Sequence, residues 1–147
     1  MSVLSSIIDN KLYIGDHSYS DGSIELDTTY SIVNCTKNLP FAYPNNSNIR
    51  VPIDDIDDLE NNNILLSHLT ATCDFISGEI KNGNKVLIHC QQGLSRSPSV
   101  AVAFLIRDMQ MSLDEAINLV QTRRRGALIF SMNFKACLSA WEKLCQK

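Results

Sequence analysis

The segment that most constrains this chain is Lys85–His89, whose centre Val86-Leu87-Ile88 is apolar without alternation. An unbroken apolar run of strand length suits a strand covered on both faces, and such strands belong to parallel sheets packed against helices. The turn Lys81-Asn82-Gly83-Asn84 precedes it, and a second apolar run, Val100 to Ile106, lies closely downstream. Shorter β-rich stretches at Lys11–Ile14, Tyr30–Asn34 and Ile49–Ile53 are expected to supply further strands. Leu65, Leu69, Cys73, Ile76 and Ile80 fall on one helical stripe, and Leu113, Ala116, Ile117 and Val120 on another, opened by a Ser112/Glu115 capping box. Phe134, Cys137, Leu138, Trp141, Leu144 and Cys145 make a closing amphipathic helix, with Phe134 and Trp141 read as core. The Asn-rich pieces at 45–48 and 61–63 read as loops. The alternation predicts an α/β fold: a central, mostly parallel twisted sheet flanked by helices, in one domain spanning residues 1–147.

Composition narrows the function classes. The 147 residues are 44% hydrophobic and 20% charged, which excludes disordered and fibrous chains. A net charge of −3 offers no bulk attraction to nucleic acid, and no nucleic-acid partner is expected. Five cysteines with no Cys-x-x-Cys pair read neither as a disulfide framework nor as a zinc site. Free thiols predict a reducing compartment, the cytoplasm or the nucleus. No basic residue precedes Lys11, Ser2 does not fit myristoylation, and Cys145 stands too late for prenylation. Val100 to Ile106 is far shorter than the ~20 residues of a membrane span, so no membrane partner is expected. No segment stands apart as a dimerising arm.

In open parallel sheets chemistry gathers beyond the carboxyl ends of the strands. Beyond Ile88 the chain reads His89-Cys90-Gln91-Gln92-Gly93-Leu94-Ser95-Arg96-Ser97-Pro98. Ser97 is placed to cap the next helix, and Pro98 fits its first turn, where a missing N–H costs nothing. Backbone N–H groups from Gln91 to Arg96 can curl around a tetrahedral anion with a helix dipole behind them, and Gly93 permits the turn. Helix N-termini and nearby cations lower a cysteine's pKa from ~8.5 to roughly 3.5–7.5, so the same field is expected to favour a thiolate at Cys90. Arg96 adds a planar fork that holds two phosphate oxygens at once. Nucleophile, anion cradle and cationic clamp together suit phosphoryl transfer to sulfur.

The pattern His89-Cys90-x-x-Gly93-x-Ser95-Arg96-Ser97 closely resembles the signature loop of the cysteine-based protein tyrosine phosphatase superfamily, and Ser97 after the arginine resembles its dual-specificity branch. Leu12-Tyr13-Ile14-Gly15 and Ile32-Val33-Asn34 resemble the family's first two strands, Val51-Pro52-Ile53-Asp54-Asp55 the strand leading to its acid loop, and Ser112-Leu113 with Glu115-Ala116 its penultimate helix. Where relatives often carry Arg-Arg-Pro and then Pro-Asn, this chain has Arg124-Arg125-Gly126 and Met132-Asn133.

The resemblance implies a protein tyrosine phosphatase-like fold and a two-step reaction through a phosphocysteine on Cys90. Arg96 and the amides of Gln91, Gln92, Gly93, Leu94 and Ser95 would hold the phosphate. Ser97 would assist thiolate departure, Ser95 order the loop, and His89 organise it and tune Cys90 by hydrogen bonding. No cofactor and no metal are implied. The general acid is Asp55 when counted forward from Pro52, or Asp58 when counted back from Cys90. The implied partner is a phosphorylated protein bearing phosphotyrosine, phosphoserine or phosphothreonine. Phosphoinositide or RNA 5′-phosphate substrates, or a non-catalytic phospho-protein binding module, are the alternatives. Cys35 resembles the resolving cysteine of a lipid-directed relative and is a candidate redox partner for Cys90; otherwise it is a small core residue. Arg123-Arg124-Arg125 follows a helix and complements its dipole, or else docks acidic or phosphorylated substrates. His17 and His68 read as surface or helix-packing residues.

Overall fold

In the computed structural model, residues 4–129 and 132–146 are described. Five strands form one sheet: β1 (Leu4–Ile8), β2 (Leu12–Gly15), β3 (Tyr30–Asn34), β4 (Asn48–Arg50) and β5 (Lys85–His89). Their order across the sheet is β1-β2-β5-β3-β4, with β1 antiparallel to β2 and every other pair parallel. Four helices match the pattern of apolar stripes: α1 (Leu59–Lys81), α2 (Arg96–Asp108), α3 (Leu113–Arg123) and α4 (Lys135–Cys145). Ser112 and Glu115 form the expected capping box of α3.

The central strand β5 behaves as its composition demands. Val86 and Ile88 join the larger core with residues of all four helices, while Leu87 joins Tyr19 and Ile32 on the opposite face. All three are fully buried. Phe134 and Trp141 lie in the larger core, and the Trp141 indole donates to the Ala103 carbonyl. Among the described residues no helix is long and apolar enough to cross a membrane.

Register positions the site. Gly15 pairs with His89, His89 with Asn34, and Asn34 with Arg50, so four strands end in one row. The residues that come next, Asp16, Cys90, Cys35 and Val51, therefore leave the sheet along one edge.

Several local expectations need correction. Strand β1 escapes the sequence reading, because Ser5-Ser6 dilutes its apolar character; its alternation only has meaning once paired along β2. The strand expected over 49–53 is β4 at 48–50, since Pro52 has no N–H to continue the ladder. Residues 61–63 are not a loop but the opening of α1, for which the Asp58 side chain accepts from the Asn61 amide at 2.7 Å. Helix α2 begins at Arg96 with Ser95 at the N-cap, so Ser97 is an inward-facing helical residue rather than the cap. Pro98 remains in the first turn.

Candidate active site

The loop from Cys90 to Ser95 is shaped from outside, through its carbonyls. The carbonyl of Gln91 accepts from the His17 amide at 2.9 Å, and that of Leu94 from the Leu128 amide at 2.8 Å. The carbonyl of Ser95 accepts from the Ser99 amide and hydroxyl. Arg124 covers the two between: its Nε donates to the Gly93 carbonyl at 2.7 Å and its Nη2 to the Gln92 carbonyl at 3.1 Å. All five carbonyls are thus drawn into the scaffold. Across a trans peptide the N–H points opposite to the C=O, so the amides of Gln92 to Arg96 turn inward.

The sulfur of Cys90 lies at the base of that ring of amides. The Gly93 N–H donates to Sγ at 3.2 Å, and the Ser97 hydroxyl lies 3.2 Å from it. Gly93 has φ of +72°, and a Cβ there would lie 2.6 Å from Arg124 Nη2 and 2.7 Å from the Gly15 carbonyl oxygen. That crowding, one partner being backbone, explains the glycine. Beginning α2 at Arg96 turns the Ser97 hydroxyl toward the sulfur, which a capping role would have forbidden.

Cys90, Arg96 and Asp55 line one cavity of about 240 Å³, with Gln91, Gln92, Leu94 and Ser95 completing its wall. The Arg96 guanidinium donates to the Ile53 carbonyl at 3.3 Å, tying the clamp to the segment that carries Asp55. Asp55 is exposed, and its Oδ1 accepts from Asn133 Nδ2 at 2.9 Å. Asp58, the alternative, is committed elsewhere as the cap of α1 and borders a different depression with Lys37 and Glu60. Asp54 pairs with Lys37 at 2.7 Å on the surface. The structure thus brings Asp55, not Asp58, to the sulfur's cavity.

His89 is fully buried, and among the described residues neither ring nitrogen finds a partner at strict hydrogen-bonding geometry. The Cys90 backbone nonetheless lies close enough to act on the imidazole as a looser hydrogen-bond partner. Burial pushes its pKa down to about 4; Arg50 reinforces the shift, while the Cys90 backbone and Asp16 oppose it. The ring is neutral at physiological pH.

Cys35 is also fully buried, one residue beyond Asn34, and its amide donates to the His89 carbonyl at 2.8 Å. Burial pushes its thiol well above the usual range; the nearby charge of Cys90 adds to that shift, and Arg96 opposes it. Among the described residues no three His, Cys, Asp or Glu side chains converge as a metal site.

The residue that sequence reasoning missed is Arg124. Read from sequence as one of three surface cations, it is 1% exposed and buttresses the loop, with Nη1 donating to the Ser5 hydroxyl at 2.9 Å. Its neighbour Arg123 pairs with Asp9 at 3.1 Å, while Arg125 is exposed and joins no ion pair among the described residues. A three-arginine docking patch is therefore not what this segment forms. A larger depression of about 430 Å³ holds Cys145 and Arg107, but Arg107 is engaged by Asp74 and Asp108 and burial raises the Cys145 thiol.

The chain is similar to known proteins over most of its length. The family model described as the dual specificity phosphatase catalytic domain matches residues 12–144. A candidate tyrosine phosphatase of Invertebrate iridescent virus 6 is 46% identical over 69 residues, 47% of this chain and 48% of that protein. Dual specificity protein phosphatase 1-A of Xenopus laevis is 30% identical over 126 residues, 84% of this chain and 32% of that protein. The chain thus spans less than half the length of these curated relatives. The crystal structure of human DUSP28 superposes with a TM-score of 0.82 at 25% identity, covering 100% of this chain and 97% of that one.

Proposed function

The chain belongs to the dual-specificity phosphatase family, and from that premise we propose that residues 1–147 act as one catalytic domain hydrolysing phosphotyrosine and phosphoserine or phosphothreonine in proteins. The observation that carries this reading is the inward ring of amides around the Cys90 sulfur, closed by Arg96 and faced by Asp55.

In the first step the Cys90 thiolate attacks phosphorus as the ester P–O bond breaks, and Asp55 gives its proton to the departing oxygen. Charge building on the equatorial oxygens meets the loop N–H groups and the Arg96 fork, which are fixed beforehand and need no reorganisation. In the second step water attacks the phosphocysteine, Asp55 takes its proton, and phosphate leaves. The Gly93 N–H and the Ser97 hydroxyl support the returning negative charge on sulfur. Positive charge is thus supplied by Arg96 and backbone dipoles.

The walls of the cavity support this substrate class. The cavity is small, and among the described residues no lysine lines it; Gln91 and Gln92 stand where added cations would engage a polyphosphorylated headgroup. No aromatic side chain among the described residues lines it either, which suits a shallow site open to serine, threonine and tyrosine esters alike. The test is phosphate release from a phosphotyrosine peptide, a doubly phosphorylated Thr/Tyr peptide, a phosphoinositide and a 5′-triphosphate RNA, each with wild type and Cys90→Ser. Release from both peptides, abolished by Cys90→Ser, is expected. Release only from lipid or RNA would overturn the substrate class, and no release from any of them would overturn catalysis in favour of phospho-protein binding.

A further inference from the structure

The loop that carries Asp55 is held by three asparagines. Asn61 brackets it: its Oδ1 accepts from the Asp54 amide at 3.0 Å, and its Nδ2 donates to the carbonyls of Asp54 at 2.7 Å and Ile56 at 2.9 Å. Both hydrogens of that amide are used. Asn62 lies one residue on, 7% exposed, with the Asp58 carbonyl at 2.8 Å, Asp57 Oδ1 at 3.2 Å and the Asn133 carbonyl at 3.3 Å around its Nδ2. Two hydrogens cannot serve three acceptors fully, so Asn62 is shared between the acid loop and residue 133. Asn133 closes the circuit by donating from Nδ2 to Asp55 Oδ1 at 2.9 Å.

We infer that Asn133, seated by Asn62, is a positioning residue that decides which oxygen of Asp55 carries the catalytic proton. This rests on the reading of Asp55 as general acid. A protonated carboxyl has one oxygen that donates and one that only accepts. An N–H donor selects the accepting oxygen, here Oδ1, and so leaves the proton on Oδ2, for which the described residues provide no hydrogen-bond partner. The proton then passes from Oδ2 to the ester oxygen as the P–O bond breaks and the S–P bond forms, and Asp55 is left as a carboxylate. Without Asn133 the carboxyl samples both protonation sites and both orientations, and only a fraction of encounters deliver the proton.

That fraction matters in proportion to how much the leaving group needs the proton. An activated aryl phosphate departs as a stabilised anion, whereas an alkyl or unsubstituted phenyl ester does not. The experiment measures leaving-group release in the first turnover across a series of phosphate monoesters of rising leaving-group pKa. Wild type, Asn133→Leu, Asn133→His, Asp55→Asn and the Asp55→Asn/Asn133→Leu double variant are compared. General acid catalysis contributes ~10²–10⁴-fold, so loss of its alignment should lower Asn133→Leu by roughly 10–100-fold on the poorest leaving groups and far less on the best, steepening the dependence. Asn133→His, which returns a ring N–H at similar reach, should recover part of the loss. On the Asp55→Asn background, Asn133→Leu should add nothing. A uniform drop across the series, or an undiminished further loss in the double variant, would mark Asn133 as merely structural and overturn the inference alone. A wild-type dependence in Asp55→Asn would overturn the general-acid reading, and the inference with it.

Discussion

Arg124→Met removes every donor of the buttress while keeping most of the aliphatic stem. Three bonds to described residues are among those lost, and they do not count equally. The bonds to the Gly93 carbonyl and the Ser5 hydroxyl are buried, whereas the one to the Gln92 carbonyl is partly open, so that group can turn to water. Bonds to charged groups contribute ~1.5–3 kcal/mol each, so the two buried ones amount to about 3–6 kcal/mol. The substitution also releases a cation from a site where burial lowers its pKa, which offsets part of this. The net loss is then about 3 kcal/mol, readable in urea as a midpoint shift of about 1.5 M if the slope is ~2 kcal/mol per molar. Catalysis should suffer separately. The Gln92 carbonyl held by Arg124 and the Gly93 N–H aimed at sulfur belong to one peptide plane, so freeing one end frees the other. The expected fall in kcat/KM is roughly 10–100-fold, about 1.4–2.7 kcal/mol, measured where the variant is still fully folded. Arg124→Lys keeps the charge and loses the fork, and should fall between. Wild-type stability together with wild-type kcat/KM in Arg124→Met would refute the reasoning outright.

The neutral burial of His89 makes a prediction about acid. Its folded pKa of about 4 lies below the ordinary 6.5, so the unfolded chain binds a proton that the folded chain refuses. Stability should therefore fall as pH drops from about 6.5 to about 4, by about 3 kcal/mol in all, and no such penalty exists above that window. Comparing urea midpoints at pH 7 and pH 4.5 for wild type and His89→Gln checks it, since an equal fall in both would exclude His89 as the cause. For Cys35, mild peroxide should convert the Cys90 thiolate to a sulfenic acid, which Cys35 then attacks to form a disulfide with release of water. Because burial keeps Cys35 protonated, closure should be slow; mass spectrometry that finds only sulfinic or sulfonic Cys90 and no crosslinked peptide would refute the pairing.

What the sequence revealed, and what it hid, divides by how local the cause is. The strand at 85–89, the candidate nucleophile Cys90 just beyond it and Arg96 at the start of α2 are one continuous stretch, so composition and spacing suffice to read them. Strand β1 is only half apolar and is defined by its partner, which no local window contains. The run Asn61-Asn62-Asn63 has poor helix propensity, yet Asp58 caps it and Asn61 and Asn62 spend their side chains on the acid loop instead of on their own backbone. A signal was present: Asp58 followed by Glu60 is the acidic opening of a helix, and reading it so would have removed Asp58 from contention as the acid. Arg124 carried no such signal. It looks like a helix-end cation, and its function exists only across the fold, with Gly93 on one side and Ser5 on the other.

That distribution has a physical reason in the sheet. Because β2, β5, β3 and β4 run parallel and end in one row, each sends a different loop to the same edge. A nucleophile at Cys90 would need only its own loop and so can be encoded in one motif. The amides around it need their carbonyls held, and those holders come from the turn after β2, from the first turn of α2 and from the segment after α3. A general acid at Asp55 would have to be fixed against a moving proton rather than a static charge, and the side chains that hold its loop come from α1 and from the approach to α4. Substitutions in the motif should therefore abolish chemistry. Substitutions in Arg124 or Asn133 should grade it, the first through the sulfur's surroundings and the second through the leaving group. A leaving-group series separates the two: Arg124→Met should lower all esters together, whereas Asn133→Leu should tilt them. If both variants tilt the series alike, the two supports act through a single element, and the division of labour argued from the row of strand ends is wrong.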